Sequence, residues 1–168
     1  MHVDAPCPAC EKLGLDVAFH IHKIPYFGDV MENVISCSSC SYRHADVIIL
    51  ETKEPTRYAL KVESEEDMLI RVVRSGSAKI EIPELGIKIT PGLNSEGYVS
   101  NVEGVLARIE DVLTTIKSWK GGKKGERAEK LLDRIKKIKA GKETVHLIIE
   151  DPTGNSTIIS NKAVKERA

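Results

Sequence analysis

The sequence predicts a mainly β protein with some α: a four-cysteine zinc ribbon followed by a compact β domain that carries an α-helical hairpin. Three observations lead there. Two Cys-x-x-Cys pairs lie within the first 40 residues, short alternating apolar segments follow them, and two long stripes of 3.6-residue period are joined by "KGGKKG". The expected division is a ribbon over residues 1–46 and a β domain over 47–168, with helices at about 101–119 and 125–140.

The cysteines come first. Cys7-Pro-Ala-Cys10 and Cys37-Ser-Ser-Cys40 share one spacing, are separated by 26 residues, and use every cysteine in the chain. Two residues between thiolates let a tight turn aim both sulfurs at one point, and two such turns complete a tetrahedron around Zn²⁺. The competing redox-dithiol reading needs a helix directly after one pair. Here Cys10 leads into "EKLGLDVAFHIHK" and Cys40 into "SYRHADVIIL", both strand-like. One structural zinc on Cys7, Cys10, Cys37 and Cys40 is therefore expected. Four thiolates close the coordination shell and leave no position for a reactive water. His20 and His22 share a strand face, but with four cysteines already sufficient they read as surface or packing residues.

Within the ribbon, "LDVAFHIHKI" and "VMENVISC" read as strands, with "PYFGD" between them and Phe27-Gly28-Asp29 as the expected apex. After it come "RYALKVES", "LIRVVRS", "AKIEI" and "LGIKI" as strands. "TPGLNSEG" is a loop. Ser100 and Glu103 then form a capping box ahead of the stripe Val102, Val105, Leu106, Ile109, Val112, Leu113, Ile116. The second helix carries Ala128, Leu131, Leu132, Ile135 and Ile138 and stops at Gly141. The strands "TVHLIIE" and "STIIS" flank "DPTGN", which reads as a hairpin turn with glycine at positive φ.

Several classes are excluded or disfavoured. No apolar run exceeds the four residues Val47 to Leu50, far short of the roughly 20 a spanning helix needs. The start "MHVDAPCPAC" lacks the basic-then-apolar order of a secretory signal, so the cytoplasm is the expected compartment. There is no Gly-rich phosphate loop, Gly-x-Ser-x-Gly elbow or His-Glu-x-x-His, and acidic pairs such as Glu65 to Asp67 read as solvated helix starts; no enzyme is expected. Basic and acidic residues balance at 25 each, yet Lys117 to Lys142 holds eleven cations against three acids. Lysines near a helix end suit the helix dipole, and that reading is preferred to a nucleic-acid face because Trp119 is the only interleaved aromatic.

Taken together, Cys7-Pro8-Ala9-Cys10, "IPYFGDVMENVISCSSCSYRHADV", Ile82-Pro83-Glu84-Leu85 and Asp151 to Ser156, "DPTGNS", give a chain that resembles the ZPR-one zinc-finger proteins. The resemblance covers nearly the whole chain. It implies that the second domain is a double-stranded β-helix, jelly-roll-like, and that this chain is a single-module member of the archaeal type where eukaryotic members carry two modules. It also implies a non-enzymatic partner of translation elongation factor one-alpha, the GTPase that delivers aminoacyl-tRNA, assisting its folding or biogenesis. The expected partner surface is Tyr26, Phe27, Val30, Tyr42 and Arg43, with Tyr26 and Phe27 as exposed anchors on the ribbon turn. Tyr26 stands where the family often has His. The alternative is a nucleic-acid-binding zinc ribbon of the translation or transcription machinery.

Overall fold

Alternation of side chains along residues 1 to 49 produces a four-stranded antiparallel sheet, taken up in sequence order: β1 (His2–Pro6), β2 (Leu13–Ile24), β3 (Gly28–Cys37) and β4 (Arg43–Ile49). A computed structural model describes residues 1–92, 95–119 and 122–167. The chain forms two compact units, one over Met1–Thr52 and one from Lys53 onward. In the first, β4 runs to Ile49, where it pairs with Val30. Its buried apolar side chains are few: Cys7, Leu15 and Cys37 with Ala5, Ile35 and Tyr42 packed around them, and Phe27 and Val30 apart from that cluster. So little burial cannot by itself offset the entropy of ordering a 50-residue sheet, and the metal site must supply the difference.

The ribbon hairpin turns two residues earlier than expected. Ile24 pairs with Gly28, so the apex is Pro25-Tyr26-Phe27, and Gly28 and Asp29 already belong to β3. Tyr26 sits at φ 75, a left-handed conformation that costs a non-glycine residue about 1 kcal/mol or more. Gly28 also needs its positive φ, and a Cβ there would meet the Glu51 carboxylate at 2.3 Å.

The second unit packs two antiparallel sheets. Strands β5 (Thr56–Val62), β7 (Lys79–Ile82), β8 (Ile87–Ile89), β10 (Val145–Asp151) and β12 (Val164–Arg167) form one, in the order β12-β5-β10-β7-β8. Strands β6 (Arg71–Arg74), β9 (Tyr98–Asn101) and β11 (Thr157–Ile159) form the other, in the order β11-β6-β9. The core joins Leu60, Val62, Ile80, Ile82, Leu147 and Ile149 from the larger sheet with Val72 and Ile158 from the smaller. Helices α1 (Val102–Trp119) and α2 (Lys123–Lys139) pack on each other and complete it with Leu106, Ile109, Ile135 and Ile138.

Several local expectations change. The cap of α1 is Asn101, whose Oδ1 accepts from the Gly104 N–H at 2.8 Å, and not the Ser100–Glu103 box. Ser100 is held extended by its pairing with Val72, which removes it from capping. Val112 is 60% exposed and leaves the apolar stripe. Strands β1, β9 and β12 carry little alternating apolar signal, and the sequence pattern does not predict them. At the other end of the hairpin Gly141 (φ 62) closes α2 with a Schellman pair, Lys142 N to Lys137 O at 2.8 Å and Gly141 N to Ile138 O at 3.0 Å. The "KGGKKG" break and the "TPGLNSEG" loop include Lys120, Gly121, Leu93 and Asn94, which lie outside the described residues.

"DPTGN" is not a hairpin turn. It carries the chain from β10 in the larger sheet to β11 in the smaller, just as Ser75 to Ser77 carries it from β6 to β7. Asp151, fully buried, ties these two corners together. Its Oδ1 accepts from Ser77 Oγ (2.9 Å), Thr153 N (2.9 Å) and Thr153 Oγ1 (2.8 Å), and its Oδ2 from Asn155 N (2.9 Å) and Ser156 Oγ (2.7 Å). Ser156 Oγ in turn accepts from Ser75 N at 2.9 Å. Glycine is needed at 154, where φ is 66 and a Cβ would fall 2.2 Å from the Glu54 carbonyl oxygen.

Candidate metal centre

Both cysteine pairs sit on turns of the same construction. Cys7 N–H donates to Lys12 O at 2.9 Å, and Cys37 N–H donates to Tyr42 O at 3.0 Å, so each loop closes over five residues with its two sulfurs on the inside. The first turn opens from the end of β1 and the second from the end of β3, neighbours of β2 on either side. The pairing of Leu15 with both Val3 and Cys37 holds the two turns at one end of the sheet.

The four Sγ atoms lie within 4.8 Å of one another, with Cys7–Cys40 at 3.7 Å and Cys10–Cys37 at 3.8 Å. A tetrahedron with Zn–S bonds of about 2.3 Å has edges of about 3.8 Å, and a disulfide would require about 2.0 Å. The residues therefore fit one tetrahedral ion and do not fit two disulfides. Their acidity fits too. Burial resists charge on Cys7, but the N–H groups of Ala9 and Cys10 draw its thiol down to about 7. Cys40 receives help from the Tyr42 backbone, yet burial and the neighbouring sulfurs push it up to about 12. Four crowded thiols cannot all ionise alone, and a divalent cation removes that conflict. This is the only cluster of metal-ligating groups among the described residues; His20 and His22 are not part of one.

The expected partner residues scatter. Tyr26 is 48% exposed at the hairpin apex. Phe27 and Val30 are buried, so the expectation of an exposed Phe27 ring is corrected: only the first ring of the pair faces solvent. Tyr42 packs against the cysteines, and Arg43 is exposed at the start of β4. A feature missed in the sequence is the apolar face of the ribbon itself. Ile21, Met31 and Ile48 are paired straight across three strands, with Phe19 one pleat away, and hence share a side. Phe19, Ile21 and Ile48 are 49%, 68% and 43% exposed. The signal was available in the odd-numbered residues of "VAFHIHK", but the register that lines up β4 was not.

Elsewhere, the expectation of a solvated helix start at Glu65 to Asp67 is corrected at Asp67. Asp67 is buried, accepts from the N–H groups of Glu63 (3.0 Å) and Ser64 (3.1 Å), and pairs with Lys162 Nζ at 2.8 Å. Glu84 of the Ile-Pro-Glu-Leu motif accepts from the His146 N–H at 3.0 Å and meets its Nδ1 at 2.6 Å. No helix among the described residues is long and apolar enough to cross a membrane.

A closed four-cysteine ribbon and a jelly-roll domain bearing a helical hairpin define a zinc-finger protein with one structural metal. Residues 1–50 match the ZPR1 zinc-finger domain and residues 66–167 the ZPR1 jelly-roll domain. The chain belongs to the ZPR1 family. A ZPR1-like protein of Methanocaldococcus jannaschii is 49% identical over 162 residues, which is 95% of this chain and 82% of the relative. A ZPR1-like protein of Pyrococcus horikoshii is 49% identical over 166 residues, 96% of this chain and 74% of the relative. The zinc finger chaperone zpr1 of Schizosaccharomyces pombe is 28% identical over 163 residues, 93% of this chain but 34% of its own length.

Proposed function

We propose that this protein is a non-enzymatic chaperone of an elongation factor one-alpha type GTPase, engaging it through the ribbon while the partner is folding. The observation that carries the reading is the apolar sheet face of Phe19, Ile21, Met31 and Ile48. Contiguous exposed apolar surface is unusual on a soluble protein and suits a client whose own core is not yet closed. Zinc serves this role by keeping a thin sheet rigid without a core that would use up those side chains. The chaperone name of the fission-yeast relative supports the class of activity. Of the other expected contacts, Tyr26 is exposed at the hairpin apex, whereas Arg43, five residues from Ile48 along β4, lies on the opposite side of the sheet, Phe27 and Val30 are buried, and Tyr42 packs against the cysteines.

The nucleic-acid reading is not advanced. Of the cations between Lys117 and Lys142, Lys117, Arg134, Lys136 and Lys139 already pair with Glu129, Glu143, Asp133 and Glu110.

The test is co-elution of the zinc-loaded protein with an archaeal-type elongation factor, free, nucleotide-bound and during refolding from denaturant. A complex that is lost in the Ile21→Asp/Ile48→Asp variant, with zinc content unchanged, is the expected result; each anchor is worth about 2 kcal/mol. Absence of a complex in every partner state overturns the reading.

A further inference from the structure

A cleft of about 510 Å³ opens in the β domain between α1 and strands β7 and β8. Its walls are apolar: Ile80 and Ile89 from the sheet, and Ile109, Val112 and Leu113 from the helix. The charged part of the lining is cationic. Arg74 and Arg108 both lie over the Tyr98 ring, with guanidinium carbons 5.7 and 4.3 Å from its centre. Arg74 is 5% exposed. It donates to Ala78 O at 2.8 Å, Ser95 Oγ at 3.1 Å and Glu96 O at 3.2 Å, all neutral acceptors. Its Nε–H is buried without a partner among the described residues, and no carboxylate there pairs with either arginine. Lys88, the third cation of the lining, is already paired with Glu81 at 2.7 Å, and among the described residues no acid lines the cleft.

A guanidinium held in an apolar surround with a donor left over and no counter-charge is costly to keep, and carboxylates match its planar fork. We propose that this cleft binds a small amphiphilic carboxylate, its apolar chain along Ile109 and Leu113 and its head at Arg74 and Arg108. The volume falls within the roughly 300–1,000 Å³ of small-molecule sites. The site is distinct from the ribbon face and stands or falls separately from the chaperone reading.

Titration of the full zinc-loaded chain with decanoate and with decanol, read by methyl NMR, tests it. Saturable shifts at Ile80, Ile109 and Leu113 are expected with decanoate, and binding of decanol about tenfold weaker, because the head group makes charge-assisted hydrogen bonds. Arg74→Ala risks unfolding the corner it ties, so the informative variants are Arg108→Ala and Val112→Asp, both at exposed positions. Each should weaken decanoate about tenfold. Arg108→Ala should leave decanol unchanged. Equal affinity for the two probes, no saturable binding, or shifts confined to Phe19 and Ile21 would overturn the proposal.

Discussion

Replacing Asp151 by Asn tests the carboxylate that joins the two sheet corners. Five donors converge on its two oxygens, two of them the backbone N–H groups of Thr153 and Asn155. An amide offers one acceptor oxygen and one NH₂. Whichever way it is turned, the NH₂ confronts a backbone N–H that cannot rotate away, whereas the serine and threonine hydroxyls can. Each buried donor left unpaired costs about 1–3 kcal/mol, so the substitution should destabilise the β domain by about 2–4 kcal/mol at neutral pH. The ionic part has a pH signature. Burial would raise the Asp151 carboxyl, but the hydrogen bonds from Ser156 and Thr153 outweigh it and hold it at about 2, below its ordinary 3.8. Because the folded value is the depressed one, the stabilisation is complete above about pH 4 and is lost as pH falls through about 2; it amounts to about 2 kcal/mol. Urea titrations of both proteins between pH 7 and pH 2, followed on the methyl signals of Leu147 and Ile149, measure the difference directly. The gap between wild type and Asn should shrink in that acid window. A variant as stable as wild type at pH 7, or a gap that does not change with pH, refutes the account of Asp151 as a hydrogen-bonded carboxylate tying the corners.

Three further outcomes are expected. Cys37→Ser, or a strong chelator, should abolish stoichiometric zinc binding and amide protection along β1 to β4; structural zinc is worth about 10–16 kcal/mol, and a sheet that survives metal loss refutes the claim that the ribbon depends on it. Gly154→Ala should lower the melting temperature, since it combines a left-handed backbone with a 2.2 Å contact to Glu54 O; the cost exceeds about 1 kcal/mol, and an unchanged melting curve would show that the corner yields. Asn101→Ala should cost about 1 kcal/mol in denaturant unfolding through loss of the α1 cap, and the reverse ranking with Ser100→Ala would restore the capping box.

How far the sequence reaches depends on the range of the interaction. The cysteine turns depend on residues within five positions of each other, and the helices on a local 3.6-residue period. Both are therefore legible, even to the glycine that ends α2. The errors fall where a second segment decides. Ser100 has every local mark of a cap until Val72 takes it into a strand. "DPTGN" has the composition of a hairpin turn, but its flanking strands find partners in different sheets. Tyr26 and Phe27 look equivalent in the chain, yet Tyr26 is exposed and Phe27 buried.

The sequence by itself determined the metal and the family, because both rest on runs of contiguous residues that can be read without knowing which segments meet. Tertiary structure decided which surfaces are available. Only the cross-strand register brings Ile21, Met31 and Ile48 into one exposed row, since a shift of one residue would turn β4 over. Only the packing of α1 beside β7 and β8 encloses a cleft with Arg74 in its lining and, among the described residues, no acid to pair with it, since which side chains share a cavity depends on contacts between segments far apart in the chain.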